Sequence, residues 1–238
     1  MFEFLKSKSP IERLTKRITE TAGEDGPRIE AAQKLADLDS PEALFALAKR
    51  FTISSKVITQ DIEEKRMVVD MLAAKGDRAV APILRFLGSY HQVEWPVQAL
   101  ARILPTDQLV PRLVEVLQNV ALNPFTSPEH RSSLIKAMHG YVTPEIAAVL
   151  RKSLNDDDDD VSIAAAHAVA EMGDAEREFL LEAFIAAEGR PRVRIAIADL
   201  FAERDWPVKG YRPTIEANLP EGFHVTAKGL LRRKGSPA

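Results

Sequence analysis

The feature that most limits what this chain can fold into is a short helical apolar pattern that recurs along it. Its best-formed copy is DVSIAAAHAVAEMGD, residues 160–174. Val161, Ala164, Ala165, Ala168, Val169 and Met172 fall at i, i+3, i+4, i+7, i+8 and i+11, one face of a helix. Most of that face is alanine, which lets another helix approach closely, so this helix is expected to lie between neighbours. Asp160 precedes the first turn, where a carboxylate accepts backbone N–H bonds and meets the positive helix end. Gly173 stands where a left-handed cap residue is wanted. A second helix follows over 174–188, with Phe179, Leu180, Ala183, Phe184 and Ala187 inward and Gly189 closing it. Helix, tight turn and helix fill about 30 residues, the length of one solenoid repeat.

The next segment, RPRVRIAIADLFAERD at residues 190–205, repeats the pattern with an offset of 32 and a Val193-Arg194 pair. Both stretches resemble the first helix and turn of a HEAT repeat of the bacterial, phycobilin-lyase type: Asp, two residues, Val or Arg, then a small-residue helix closing on Leu-Gly or Met-Gly. The resemblance covers roughly residues 28–205 and is strongest over 159–205. It implies an all-α, right-handed α-solenoid of about five to six HEAT-like helix pairs. The repeat pattern is specific for fold and unspecific for activity.

Aligning Leu35, Leu72, Leu100, Met138, Val169 and Phe201 as equivalent core positions gives spacings of 37, 28, 38, 31 and 32. Such variation belongs in the loops of a solenoid. Residues 1–24 read as an N-terminal tail and capping helix, residues 25–206 as the repeat array, and residues 207–238 as a C-terminal cap and basic tail. Ser9 with Glu12 forms a capping-box pattern and Pro10 suits the first helical position, so a helix is expected over 10–21. Phe2, Phe4 and Leu5 are expected to pack back onto the first repeat. The SPE at Ser40 and the TPE at Thr143 each start a second helix in a shared register. After Pro207 the period stops. There residues 223–225 and 230–232 are expected to pair as a short hairpin around Lys228-Gly229, covering the last helix.

Composition narrows the chemistry. The 238 residues contain no cysteine, which excludes disulfides, thiolate chemistry and cysteine-ligated zinc. No apolar run approaches the roughly 18 residues that span a membrane. The start, MFEFLKSKS, lacks a continuous apolar core of the signal-peptide kind, so a cytoplasmic location is expected. The net charge of −3 divides unevenly: residues 190–238 carry +5, residues 1–20 carry +2, and the intervening body carries −10. An acidic body disfavours a nucleic-acid partner.

Each candidate for chemistry has a structural alternative. His91, His130, His139, His167 and His224 include no pair three or four residues apart on one helix, and none precedes Glu. HEAT-like deoxyhypusine hydroxylases hold iron with repeated His-Glu dipeptides, so that activity is not expected. His167 reads as structural. The aspartate run at 156–160 lacks the Gly and distal Glu of a calcium loop and reads as an acidic turn that caps a helix. Arg192 and Arg194 are expected to pair with that run. Trp95 and Trp206 sit beside prolines at helix boundaries and read as end packing.

In HEAT-like repeats the second helices line the concave face. Here they carry Lys49, Arg50, Arg85, Arg112, Arg151 and Lys152, a candidate ladder of cations with Lys49 and Arg151 set as equivalents. Such a ladder suits an acidic peptide or a phosphate backbone; last-turn cations favoured by the helix dipole are the alternative. The expected function is therefore a non-enzymatic scaffold that binds a partner peptide or protein along this face. No cofactor, metal or catalytic residue is expected. The alternatives are a nucleic-acid-binding protein of the alkylpurine-DNA-glycosylase kind and a phycobilin-lyase-like chaperone, both of which resemble this fold.

Overall fold

A computed structural model describes residues 9–21 and 25–235 of the chain. The expected packing of Phe2, Phe4 and Leu5 lies outside the described residues. The chain divides into two compact units, one ending at Arg112 and the other starting at Leu113.

The first unit begins with α1 (Pro10–Ile18). Its capping box forms as the sequence predicts: the Glu12 N–H donates to the Ser9 hydroxyl at 3.1 Å, and the Ser9 N–H donates to the Glu12 carboxylate at 2.8 Å. Then come α2 (Asp25–Leu38), α3 (Pro41–Ala48), a 3-10 turn over Lys49–Thr52, α4 (Ile58–Ala73), α5 (Asp77–Leu87) and α6 (Glu94–Ile103). Helix α4 packs against α2 and α6, α3 packs against α5, and α1 lies across α2 and α3. First helices thus stack on first helices and second on second, which is the repeat logic of a solenoid. Gly76 has φ +55, a backbone position that costs a side chain strain, and it allows the tight turn from α4 into α5. Helix α7 (Thr106–Val116) contains the division between the units.

The second unit continues through one π-turn at Leu117–Ala121, α8 (Pro128–Lys136), α9 (Pro144–Leu150), a 3-10 turn at Arg151–Ser153, and α10 (Asp159–Ala170). A 3-10 turn at Gly173–Glu176 leads to α11 (Arg177–Ala186), and α12 (Pro191–Glu203) follows. Helix α10 is sandwiched between α8 and α12. Val161, Ala164, Ala165, Ala168 and Val169 are all buried, so the small-residue face predicted for this helix serves close packing, while Met172 at its end is half-buried. All six aligned core positions, from Leu35 to Phe201, are completely buried.

The chain ends in α13 (Arg212–Ala217) and an antiparallel hairpin of β1 (Phe223–Val225) with β2 (Leu231–Arg233). The pairing is one residue later than predicted, because Leu230 instead bridges to Pro207. The hairpin lies on α12: Arg233 donates to both Asp199 carboxylate oxygens, at 2.7 and 2.6 Å, and Trp206 packs edge-on to Phe201 at 5.5 Å. The fold is thus an all-α solenoid of helix pairs closed by a small hairpin.

Several local readings are corrected. The cap of α10 is Asp158, not Asp160; its carboxylate accepts from the Asp160 and Val161 N–H groups at 2.9 and 3.2 Å. The helix therefore starts earlier, and Asp160 stays exposed to meet Arg192 at 2.6 Å. On α11 the inward residue is Leu181, whereas Phe179 is 39 % exposed. His167, on the same helix as Ala165, is exposed.

Candidate partner-binding surface

The predicted cations meet different fates, and packing decides each one. Arg50 is 1 % exposed and cannot reach a partner. Its guanidinium donates to Glu64 at 2.8 Å, to Asp61 at 2.7 Å and to the Ile53 carbonyl at 3.2 Å. Arg28 donates to both Glu64 oxygens, at 3.1 and 2.7 Å, and Lys65 donates to Asp61 at 2.6 Å. Arg28, Arg50, Asp61, Glu64 and Lys65 thus form one buried ionic cluster that ties α2 and the 3-10 turn after α3 to α4. Burial pushes the Asp61 carboxyl upward, but hydrogen bonds from Lys65, Arg50 and the Ser55 N–H outweigh it and hold it at about 2. Glu64 is lowered in the same way: burial opposes ionisation and the two arginines overcome it.

Arg151 is also engaged. It donates to Glu176 at 2.7 Å, and its guanidinium carbon lies 4.1 Å from the Phe179 ring centroid. The hydrogen bond to Glu176 raises the guanidinium above its ordinary value. The Arg151–Glu176 pair joins the turn after α9 to the turn before α11, so this cation links successive repeats. Counted from Ser40 and Thr143, Lys49 matches Lys152, not Arg151, and Arg50 matches the buried Ser153. Lys152 and Arg112 are exposed.

Lys49 and Arg85 converge instead. The Arg85 guanidinium carbon is 4.2 Å, and the Lys49 ammonium 5.4 Å, from the centroid of the Phe45 ring. Phe45 is held in turn by Phe86 and Tyr90, at 6.3 and 6.2 Å, and those two rings stack at 4.7 Å. Neither cation forms an ion pair among the described residues. The trio borders a cleft of about 450 Å³ between α1 and α3, with Ile11, Thr15, Lys16 and Thr19 along one wall and Glu42 and Ala46 along the other. Phe45 did not stand out in the sequence. The signal was present, since Phe45 and Lys49 are four apart on one helix face.

The remaining charges chiefly rivet repeat to repeat. Arg131 pairs with Asp156, Arg190 with Asp159 at 2.8 Å, and Arg192 with Asp160. Asp158 is taken up by its capping role. The aspartate run is therefore a structural turn, as the sequence suggested. Arg194 does not join it; it donates to the Phe184 and Ile185 carbonyls at 3.1 and 3.4 Å, where the end of α11 needs donors. His139 lies 2.8 Å from Glu171, which also accepts from the Gly140 N–H at 3.0 Å. Among the described residues no group of three or more His, Asp or Glu side chains is placed to hold a metal ion, and no helix is long and apolar enough to cross a membrane.

Stacked helix pairs with a charged, partly aromatic second-helix surface define an α-solenoid module of the kind that usually offers a protein-binding surface and is usually non-catalytic. The family model of HEAT repeats matches residues 114–202. Comparisons with curated proteins and with solved structures gave no match.

Proposed function

We propose that this chain is a non-enzymatic protein-interaction scaffold that docks a helix or extended segment of a partner on its second-helix surface, and that its repeats are of the short bacterial, phycobilin-lyase type. The observation that carries the scaffold reading is the convergence of Lys49 and Arg85 on the half-buried Phe45 ring beside an open cleft. Of the six cations on the second helices, Arg50 and Arg151 are engaged within the repeats. Lys49 and Arg85 remain presented, and they are presented together. A half-buried aromatic flanked by cations is the composition of an interface anchor.

The reading is tested by placing a photo-crosslinking amino acid at Glu42, on the cleft, and at Arg66, on the exposed face of α4. A discrete protein adduct at the cleft, missing from α4, is expected after irradiation in native cells. Equal, diffuse adducts at both positions would sink the scaffold reading.

A further inference from the structure

Four facts about the cleft bear on what occupies it. The Arg85 guanidinium lies against the Phe45 ring, and no hydrogen bond of its side chain to another described residue is made. The ring contact thus holds the guanidinium while its side-chain donors stay unused among the described residues, which leaves them available to an oxyanion. Lys49 reaches the same ring, which puts two unneutralised positive charges less than about 10 Å apart. Ile11, Thr15 and Thr19 follow one another at four-residue steps along α1, so the cleft runs lengthwise for roughly 12 Å at about 1.5 Å per residue. That length matches about four residues of extended chain at roughly 3.3 Å each. Finally, Glu12 and Glu42 also border the cleft. They repel a continuous phosphate backbone but tolerate a segment whose acidic groups alternate with apolar ones.

We propose that the Phe45–Lys49–Arg85 cleft receives an acidic linear segment of a partner protein, one carboxylate of which is clamped by Arg85 and Lys49 beside the Phe45 ring. This rests on the scaffold reading and specifies the chemistry of its partner. Arg85 supplies the directional contact and Lys49 the second charge. Phe45 acts by holding Arg85, and the apolar wall at Ile11 and Ala46 accepts a neighbouring aliphatic side chain of the segment.

The test is a fluorescence-anisotropy titration of the full chain with a fluorescein-labelled dodecapeptide of alternating glutamate and leucine. The same peptide with glutamine for glutamate, and a labelled single-stranded oligonucleotide, serve as rivals. The acidic peptide is expected to bind, more weakly as salt rises, and the glutamine peptide at least about tenfold more weakly. Arg85→Gln is expected to weaken binding about tenfold or more and Lys49→Gln about threefold. Phe45→Leu should weaken it by a similar margin through loss of the platform, and Arg66→Gln should leave it unchanged. Absence of peptide binding, equal binding of the two peptides, tighter binding of the oligonucleotide, or indifference to Arg85→Gln overturns the proposal. The scaffold reading then still stands or falls by the crosslinking at Glu42 and Arg66, so the two failures are distinguishable.

Discussion

The two units solve the same packing problem with opposite chemistry. The first puts charge inside: Arg28, Arg50, Asp61, Glu64 and Lys65 are each less than a tenth exposed and are hydrogen-bonded to one another, to the Ile53 carbonyl and to the Ser55 N–H. The second keeps its centre apolar and small, with α10 buried on nearly every side, and sets pairs such as Arg190–Asp159 and Arg192–Asp160 on the rims of successive helices. A buried network is costly to break, because removing one member strands ionised groups away from water. Rim pairs add little individually, because water competes for each partner. The first unit is therefore specified by a few irreplaceable polar contacts, and the second by shape.

That contrast can be broken experimentally, since each unit carries one tryptophan: Trp95 in the first and Trp206 in the second. The variants Trp206→Phe and Trp95→Phe give backgrounds that report one unit each in urea unfolding. The largest effect is expected from Glu64→Gln, which leaves Arg28 and Arg50 buried without their shared carboxylate. It should destabilise the Trp95-reporting transition by about 3–5 kcal/mol. Next, Ala165→Leu forces bulk between α8 and α12 and should lower the Trp206-reporting transition by about 2–3 kcal/mol.

Acid should act on the first unit through Asp61. Its folded carboxyl titrates at about 2, below its ordinary 3.8. A lowered carboxyl contributes stability that is complete above the ordinary value and lost as the pH falls through the folded one. The Trp95 transition should thus lose on the order of 2 kcal/mol between about pH 4 and pH 2, and Asp61→Asn should flatten that part of the profile. Asp158→Ala removes the cap of α10 and should cost about 1 kcal/mol on the Trp206 transition. Arg192→Ala, which breaks an exposed pair with Asp160, should cost less than about 0.5 kcal/mol. If Arg192→Ala rivals Glu64→Gln, the contrast between buried network and rim pairs is wrong.

The repeat match falls at residues 114–202, inside the second unit, and the contrast explains why. Where helices pack through alanine and short aliphatic residues, the contact requirement is written as a period that any copy must keep. In the first unit polar residues occupy inward positions: Arg28 starts the buried face of α2, and Asp61, Glu64 and Lys65 those of α4. They interrupt the apolar period without interrupting the helices.

By itself the sequence determined the helix pairs, the all-α solenoid class, the six equivalent core positions, the capping box of α1, and the terminal hairpin to within one residue. These follow from local rules, namely period, caps and turn residues, which act within a few residues of chain. What only the tertiary structure decided was the fate of each charge. Arg50 and Lys49 are adjacent in sequence, yet one is sealed in an ionic cluster and the other stands at the surface beside Arg85. A one-residue step along a 3-10 turn rotates a side chain by about 120°, and whether that direction holds a carboxylate or open solvent depends on residues from a different helix. The same reason placed Arg151 on Glu176 and gathered Phe45, Lys49 and Arg85 into one cleft.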